Sequence, residues 1–301
     1  MTHLVKSELK LGRSLVFDAI GTSWVITLLS DDTFEKHAQL EADIYQMIED
    51  YDKNYSRFRA DSLVTKMAQQ KNTYLLPDDA KPLLDTYELL YKLTDGAVTP
   101  LIGNVLSDAG YDTEYSLKPK LLRPALAWDE AIDYNYPYLT IKQPTILDFG
   151  AAGKGYLVDI ISDLIEQSGV ESFYLNAGGD LRYKTVTCEA VRIGLENPDD
   201  STEAIGIASI INRSLCGSAG NRRTWANYTH IIHPGTLRSP TNKKAVWVVS
   251  DTTLVSDALT TALFFVSPES LSNHFDFEYA IVQDDYSLIT SADFPADFFT
   301  I

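Results

Sequence analysis

The pattern of apolar and polar residues predicts helices in the outer parts of the chain. Residues 33–50 and residues 78–94 each place apolar side chains at the three- and four-residue spacing of one helix face. Near the other end of the chain, residues 244–251 form an apolar run that predicts a buried strand. Residues 252–266 then continue as a largely apolar helix.

The most regular pattern lies in the middle of the chain. Residues 145–149 favour a strand, residues 150–155 a glycine-rich loop, residues 156–168 an amphipathic helix and residues 171–176 a second strand. This order predicts an α/β or α+β fold in which helices are layered on sheets. Just before it, residues 111–144 are rich in Pro, Tyr and charge, which favours loops with short strands.

Composition adds that the chain resembles a soluble globular protein. Its 301 residues are 45% hydrophobic and 22% charged, so they can bury a large core in one elaborated domain or two closely packed ones. The 42 Asp and Glu residues exceed the 25 Lys and Arg residues, which gives a formal net charge of −17. This charge argues against nucleic acid or an anionic membrane as partner. An anionic ligand would need a helix N-terminus, a bound cation or a few placed basic residues.

The sequence also bears on location. No apolar run approaches the roughly 20 residues that span a bilayer. Charges at Lys6, Glu8 and Lys10 interrupt the apolar stretch that a signal peptide requires. Cys188 and Cys216 are too few for a disulfide framework. These features favour a reduced, cytoplasmic protein, and an export signal removed from the chain would leave the same pattern.

The loop at residues 150–155, with the sequence GAAGKG, is a candidate phosphate site. Glycines between a strand and a helix let backbone N–H groups approach an anion, which the helix dipole also favours. The loop matches neither the Walker A nor the dinucleotide pattern, so a glycine turn needed only for packing explains it as well. Asp148, just before the loop, could contact a ligand or cap the turn.

Asp257 and Thr261 are candidate metal ligands. They stand four residues apart in an apolar helix, so their oxygen atoms point the same way and could share a hard cation such as Mg²⁺. A carboxylate in such surroundings needs a partner, because burying it bare is costly. The alternative is a hydrogen-bonded Asp at a tight helix crossing.

Two histidines and a basic cluster complete the candidates. His230 and His233 lack a third protein ligand nearby, so a zinc site is weakly supported. A His beside a pocket can act as general base for a hydroxyl, although a lone His is more often structural. Arg222, Arg223 and Trp225 could hold a phosphate or a flat ring, or could simply be solvated.

A series of motifs, in this order, resembles the ApbE family of FAD:protein FMN transferases. The matching stretches are IGTSW (20–24), SRFRADSLVTKM (56–67), DGAVTPLIGNVL (95–106), LDFGAAGKGYLVD (147–159), NAGGDL (176–181), YTHIIHP (228–234) and VSDALTTALF (255–264). They span residues 20–264 without an independent second module. The resemblance therefore implies a single domain over residues 1–301.

The resemblance implies an ApbE-like α/β fold with mixed sheets and packed helices, and an enzyme that binds FAD and Mg²⁺. Such an enzyme would move FMN from FAD onto a Thr or Ser hydroxyl of a target protein and release AMP. Two alternatives remain open. One is a Mg²⁺-dependent FAD pyrophosphatase that uses water, and the other is a non-catalytic flavin-binding protein.

The resemblance also assigns roles to residues. Asp257 and Thr261 match the family's metal site, where Ala151 would contribute its backbone carbonyl. His230 matches the His of the family's H-I-I-D-P motif and would be the base for the accepting hydroxyl. The positions that match the flavin pocket are Ile20, Phe58, Asp148, Lys154 and Ile232.

Two motifs depart from the family pattern. In the usual G-A-F-D-P-T, Thr99 replaces the Asp and Leu101 replaces the final Thr. In H-I-I-D-P, His233 replaces the Asp, and the Thr-Gly that normally follows is Thr236-Leu237. We expect these changes to touch the pocket wall and the loop beside the base. The metal pair and the glycine loop are intact, so flavin and Mg²⁺ binding should survive.

Overall fold

The fold was obtained as a computed structural model, in which residues 2–4, 12–29 and 34–299 are described. The charges at Lys6, Glu8 and Lys10 lie outside the described residues, as does residue 33, where the first helix was predicted to begin.

The described chain contains α-helices and β-strands throughout its length. The helices are α1 (Phe34–Tyr55), α2 (Leu63–Met67), α3 (Ala80–Leu93), α4 (Gly103–Asp108), α5 (Trp128–Ala131), α6 (Gly153–Gln167) and α7 (Thr253–Ala262). The strands are β1 (Thr2–Leu4), β2 (Arg13–Ala19), β3 (Thr22–Leu28), β4 (Asn72–Leu75), β5 (Ile132–Asn135), β6 (Tyr138–Ile141), β7 (Phe173–Ala177), β8 (Asp180–Lys184), β9 (Val191–Glu196), β10 (Ala204–Ile210), β11 (Ser214–Ala219), β12 (Thr224–Trp225), β13 (Tyr228–Thr229), β14 (Lys243–Ser250), β15 (Glu278–Gln283), β16 (Leu288–Thr290) and β17 (Ala296–Phe298). Within the described residues, no helix is both long enough and apolar enough to cross a membrane.

An eight-stranded sheet separates two layers. Its spatial order is β16-β15-β14-β11-β8-β7-β3-β2, with α1, α6 and α7 packed on one face. A four-stranded sheet of order β1-β9-β10-β17 covers the other face. The layered α/β or α+β prediction is confirmed. The mixed sheets that were expected are not found, because neighbouring strands in the described sheets are antiparallel and β2–β3, β7–β8 and β15–β16 are hairpins.

Strand β14 shows why the central strands are continuous apolar runs in the sequence. Val246 and Val248 join the core on the helix side of the sheet. Ala245, Trp247 and Val249 point the other way and join the core beneath the four-stranded sheet. Since both faces are covered, neither set of alternate side chains can be polar. The strand predicted over residues 244–251 is confirmed.

The predicted helices over 78–94 and 252–266 are confirmed as α3 and α7, each somewhat shorter than expected. Helix α1 continues past residue 50 to Tyr55. Tyr51 and Tyr55 are four residues apart, and both are buried. Their aromatic rings extend the apolar face of α1 through a stretch that is charged on its other side.

The strand predicted over residues 145–149 is wrong. Residues 145–149 have no regular secondary structure and join no sheet of the described chain. Leu147 and Phe149 are buried in the core, and the backbone N–H of Asp148 donates to the carbonyl of Pro100 at 2.8 Å. The apolar alternation therefore reflects burial rather than strand pairing.

Helix α6 begins earlier than predicted, at Gly153 instead of residue 156. Lys154 and Gly155 therefore belong to its first turn. The strand predicted over 171–176 is confirmed as β7. Residues 111–144 contain loops and the short strands β5 and β6, as expected, together with the unpredicted single turn α5.

Helices α6 and α7 cross at Gly155. A Cβ atom built on Gly155 would lie 2.3 Å from the carbonyl oxygen of Thr253 and 2.6 Å from the Cβ of Asp257. Real Cβ atoms do not approach other atoms this closely. The two helices can be this near only because residue 155 has no side chain.

We predict that Gly155→Ala lowers the free energy of unfolding by about 1–3 kcal/mol, the usual cost of overpacking. This loss should outweigh the roughly 1 kcal/mol that Ala contributes over Gly in a helix, because neither clashing atom belongs to a flexible side chain. Urea denaturation measures the difference. Gly220→Ala is the control, since its nearest neighbour is 3.5 Å away and it should change stability by less than about 0.5 kcal/mol. Equal losses in the two variants would contradict the crossing argument.

Candidate active site

A cavity of about 440 Å³ lies beside the first turn of α6. Its lining includes the β2–β3 turn, the residues after α1, the glycine loop and the segment that follows β13. Of the nine residues to which the family resemblance assigns a role, all except Asp257 line it. Those that do are Ile20, Phe58, Asp148, Ala151, Lys154, His230, Ile232 and Thr261.

Asp257 lies directly behind the cavity wall. Its Oδ2 accepts a hydrogen bond from the backbone N–H of Gly155 at 2.8 Å. The side chain is only 6% exposed. Burial raises the pKa of this carboxyl, while the charge of Lys154 and the hydrogen bond from Gly155 lower it. Asp257 is thus a hydrogen-bonded carboxylate at a tight helix crossing, which was one of its two interpretations.

The other interpretation of Asp257 was metal binding, together with Thr261 and the backbone carbonyl of Ala151. Among the described residues, no hydrogen bond is made to the carbonyl of Ala151, to Oδ1 of Asp257 or by the hydroxyl of Thr261. The neighbouring Thr260 differs, because its hydroxyl donates to the carbonyl of Asp257. A carbonyl, a carboxylate and a hydroxyl oxygen are the donors that a hard divalent cation prefers. The three residues therefore fit a Mg²⁺ site in their chemistry.

The glycine loop offers only one free amide to a phosphate among its described residues. Its N–H groups donate inside the protein: Gly150 to Asp148, Ala151 to the Tyr87 hydroxyl, Ala152 and Gly153 to the Phe149 carbonyl, and Gly155 to Asp257. Among the described residues of this loop, only Lys154 has a backbone N–H that makes no hydrogen bond. The structure thus favours the packing interpretation of these glycines over the phosphate loop.

Asp148 pairs with Arg57, which the sequence did not single out. Oδ2 of Asp148 accepts from Nε of Arg57, and the two side chains are 10% and 4% exposed. Oδ1 of Asp148 accepts the N–H of Gly150 at 2.8 Å, so this residue also caps the turn. Arg57 further donates to the carbonyl of Tyr111 at 2.9 Å, and its guanidinium carbon lies 4.2 Å from the ring centroid of Phe58. Arg57 belongs to the SRF motif, where only Phe58 was assigned a role.

Lys154 also has a partner. Its ammonium group forms an ion pair with the carboxylate of Asp180, which is almost fully buried at the start of β8. Asp180 lies in the NAGGDL motif but was not predicted as a site residue. The charge of Lys154 at the cavity wall is therefore largely compensated within the protein.

The predicted basic cluster is divided by the structure. Arg223 lines the cavity and donates to the hydroxyl of Tyr111 at 2.5 Å. Trp225 is buried behind the wall, where its ring stacks on Tyr111 with centroids 5.7 Å apart. Arg222 instead pairs with Glu196 and does not line the cavity.

His230 lies at the cavity wall, where its backbone N–H donates to the carbonyl of Arg223 at 3.2 Å. Its Nδ1 atom is buried and has no hydrogen-bond partner among the described residues. Burial lowers the pKa of His230 to about 4, and the charges of Arg223 and Lys154 act in the same direction. The ring is therefore neutral near pH 7 and able to accept a proton.

The departures from the family pattern have different surroundings. His233 does not line the cavity; its Nδ1 accepts the N–H groups of Gly235 and Thr236, so it stabilises the turn after His230. Thr99 lines the cavity, as expected. Leu101 was expected at the pocket wall but is fully buried in the main core. An apolar side chain suits that position.

Tyr111 and Tyr115 line the cavity but were not predicted as site residues. They come from the irregular stretch after α4, where no periodic pattern marks which side chains face inward. The presence of several aromatic residues in that stretch was the available signal.

A cavity with convergent polar groups and aromatic walls is typical of a small-molecule site in a layered α/β protein. The chain belongs to the ApbE family, whose model matches residues 20–279.

Comparisons with individual relatives agree with this family assignment. The chain is 26% identical to the FAD:protein FMN transferase of Haemophilus influenzae, over 93% of this chain and 89% of that protein. It is 24% identical to the FAD:protein FMN transferase of Vibrio cholerae, over 83% of this chain and 80% of that protein. Among solved structures, the ApbE protein of Thermotoga maritima superposes with a TM-score of 0.82 at 19% identity, covering 95% of this chain and all of that one. The flavin transferase ApbE of Vibrio cholerae gives a TM-score of 0.80 at 19% identity, covering 94% and 98%. These structures share the fold.

We predict that Arg57→Met lowers the free energy of unfolding by about 3–5 kcal/mol, because it leaves the Asp148 carboxylate buried without its partner. Adding Asp148→Asn should recover part of the loss, since the amide is uncharged and its oxygen can still accept from Gly150. Chemical denaturation of both single variants and the double variant measures the coupling.

Lys92→Met serves as the control, because the Glu88–Lys92 pair is exposed and should contribute no more than about 0.5 kcal/mol. If the losses of the Arg57 and Asp148 variants simply added, the two side chains would not be coupled.

Proposed function

We propose that this chain transfers FMN from FAD to a Thr or Ser hydroxyl of a target protein and releases AMP. The observation that carries the proposal is that a neutral histidine, the carbonyl of Ala151 and the hydroxyl of Thr261 line one cavity, with the Asp257 carboxylate directly behind its wall. The family membership supports it, as do the curated relatives named FAD:protein FMN transferase.

Ala151, Asp257 and Thr261 would hold Mg²⁺ through the three oxygen atoms that make no hydrogen bond within the described chain. When bound, the cation supplies charge neutralisation to the phosphate oxygens of FAD. Asp257 would do this while its other oxygen keeps the hydrogen bond from Gly155.

The protein's own groups account for the proton and the leaving group. The acceptor hydroxyl gives its proton to His230, and its oxygen forms a bond to the phosphorus on the FMN side. The anhydride bond between the two phosphates breaks, and AMP leaves with the bridging oxygen and the electron pair. Arg223, which lines the cavity and has no ion pair among the described residues, favours the negative charge that develops on the phosphates.

Incubation with FAD, MgCl₂ and candidate acceptor proteins tests the function directly. Mass spectrometry should find one FMN added to a Thr or Ser, with one AMP released for each adduct. AMP without an adduct would instead indicate hydrolysis of FAD by water. FAD that stays bound and intact would indicate a flavin-binding protein.

Thr261→Val should raise the Mg²⁺ concentration for half-maximal transfer by about 10–100-fold, whereas Thr261→Ser should stay near the unsubstituted protein. Valine keeps the branched shape without the oxygen, and serine keeps the oxygen. A Mg²⁺ titration of AMP release measures the difference, with flavin fluorescence as a check that FAD still binds. Indistinguishable Val and Ser variants would remove Thr261 from the metal site.

The pH dependence of kcat/KM should reflect the low pKa of His230. Because that pKa is about 4, the free protein keeps His230 neutral from pH 8 down to about pH 5. Protonation of His230 should lower kcat/KM only below about pH 5. An unperturbed histidine would instead halve the rate near its usual pKa of about 6.5. His230→Gln should lower the rate by about 10²–10⁴-fold at every pH above about 5, where His230 is neutral. A midpoint between pH 6 and 7 that disappears in His230→Gln would contradict the low pKa of His230.

A further inference from the structure

A basic and apolar segment lies beside the cavity and has no part in the chemistry above. We name residues 115–123, with the sequence YSLKPKLLR, the basic strap. It contains Lys118, Lys120 and Arg123 and no acidic residue, in a chain of net charge −17.

The basic strap begins at the cavity itself. Tyr115 is one of the lining residues, and its ring stacks on that of Phe58 with centroids 5.3 Å apart and planes inclined by 14°. Lys118 follows three residues later. A polypeptide that brings a hydroxyl into the cavity past Tyr115 would therefore meet this segment.

Hydrogen bonds to residues 108–112, just before it in the chain, hold the basic strap in place. Asp112 accepts from the backbone N–H of Ser116 at 2.9 Å and from its hydroxyl at 2.7 Å. The N–H of Leu117 donates to the carbonyl of Gly110 at 2.8 Å, and that of Lys120 donates to the carbonyl of Asp108 at 2.7 Å. A surface ordered in advance loses little entropy when a partner binds.

Three of its apolar side chains face solvent, while Leu122 packs against a small core cluster. Leu121 is 88% exposed, Tyr115 51% and Leu117 45%. Arg123 pairs with Asp108 at 3.1 Å, but neither Lys118 nor Lys120 has an ion pair within the described part of the protein. The segment thus presents apolar groups together with two lysines that form no ion pair within the described residues, and the charge of Lys120 also acts on the carboxylate of Asp112.

We propose that the basic strap is a docking surface for the acceptor protein, and that it selects a segment with acidic and apolar side chains next to the accepting Thr or Ser. The proposal rests on the function proposed above. An acidic segment is repelled at long range by the net charge of this chain, so attraction must be local. The basic strap supplies that attraction where the hydroxyl enters.

The test uses the FAD-loaded protein and two dye-labelled peptides of equal length. Both contain one Thr between small residues and the same Leu residues; one carries three Glu residues and the other three Lys residues. Fluorescence anisotropy at low salt should show at least tenfold tighter binding of the acidic peptide. The preference should shrink in 0.5 M NaCl, because exposed charges are screened.

The double variant Lys118→Glu/Lys120→Glu should weaken binding of the acidic peptide at least tenfold. The matched control, Lys71→Glu/Lys142→Glu, changes two exposed lysines that do not line the cavity and should stay within twofold of the unsubstituted protein. The affinity for FAD, measured by flavin fluorescence, should stay within twofold in both variants.

Equal binding of the two peptides, binding of neither, or an equal loss in the control variant would overturn the proposal. So would a loss of FAD affinity in the strap variant, which would make the strap a flavin contact. Vesicles of phosphatidylglycerol provide another arm: binding that the strap variant abolishes, without a preference between peptides, would make the segment a membrane contact. Failure of the unsubstituted protein to bind FAD would count against the proposed function, and the peptide preference would still report on docking.

Discussion

The crossing of α6 and α7 at Gly155 and Asp257 is the contact on which the cavity depends. Gly155 lies in the first turn of α6, where a backbone N–H has no acceptor within its own helix. It donates to the Asp257 carboxylate at 2.8 Å, which offsets the cost of burying that group. The carbonyl of Ala151, at the cavity wall, accepts no hydrogen bond from the described residues. One hydrogen bond therefore joins the two helices close to an oxygen that is free for another ligand.

In a second contact between the same helices, the carboxylate belongs to α6 and the backbone N–H groups belong to α7. Asp159, in the second turn of α6, accepts the N–H groups of Thr253 and Leu254 at 2.7 and 2.8 Å. These are the first residues of α7, whose unpaired N–H groups and positive dipole end favour a carboxylate. Each helix thus supplies a carboxylate to backbone N–H groups of the other. This reciprocal arrangement fixes the rotation of α7, and with it the face that carries Asp257 and Thr261.

The parts of the site that could be predicted are local in sequence. Asp257 and Thr261 share a helix face, and the glycines stand together, so spacing and motifs identify them. Arg57 and Asp148 are 91 positions apart, and no local pattern indicates that they pair. The same limit explains the wrong strand at 145–149, because alternation of apolar residues reports which side chains are buried but not what the backbone pairs with. Family motifs located Asp180 and Arg57 within matched stretches, yet only the fold shows that they neutralise Lys154 and Asp148.

These pairings limit the positive charge with which an acidic chain can bind an anionic ligand. Arg57 is compensated by Asp148 and Lys154 by Asp180, while most N–H groups of the glycine loop are already used. Among the described residues that line the cavity, Arg223 has no ion pair. Neither the loop nor the lysine can then carry a pyrophosphate alone. A divalent cation at the free oxygens of Ala151, Asp257 and Thr261 would supply the missing charge, so substrate binding and metal binding should be strongly coupled in this protein.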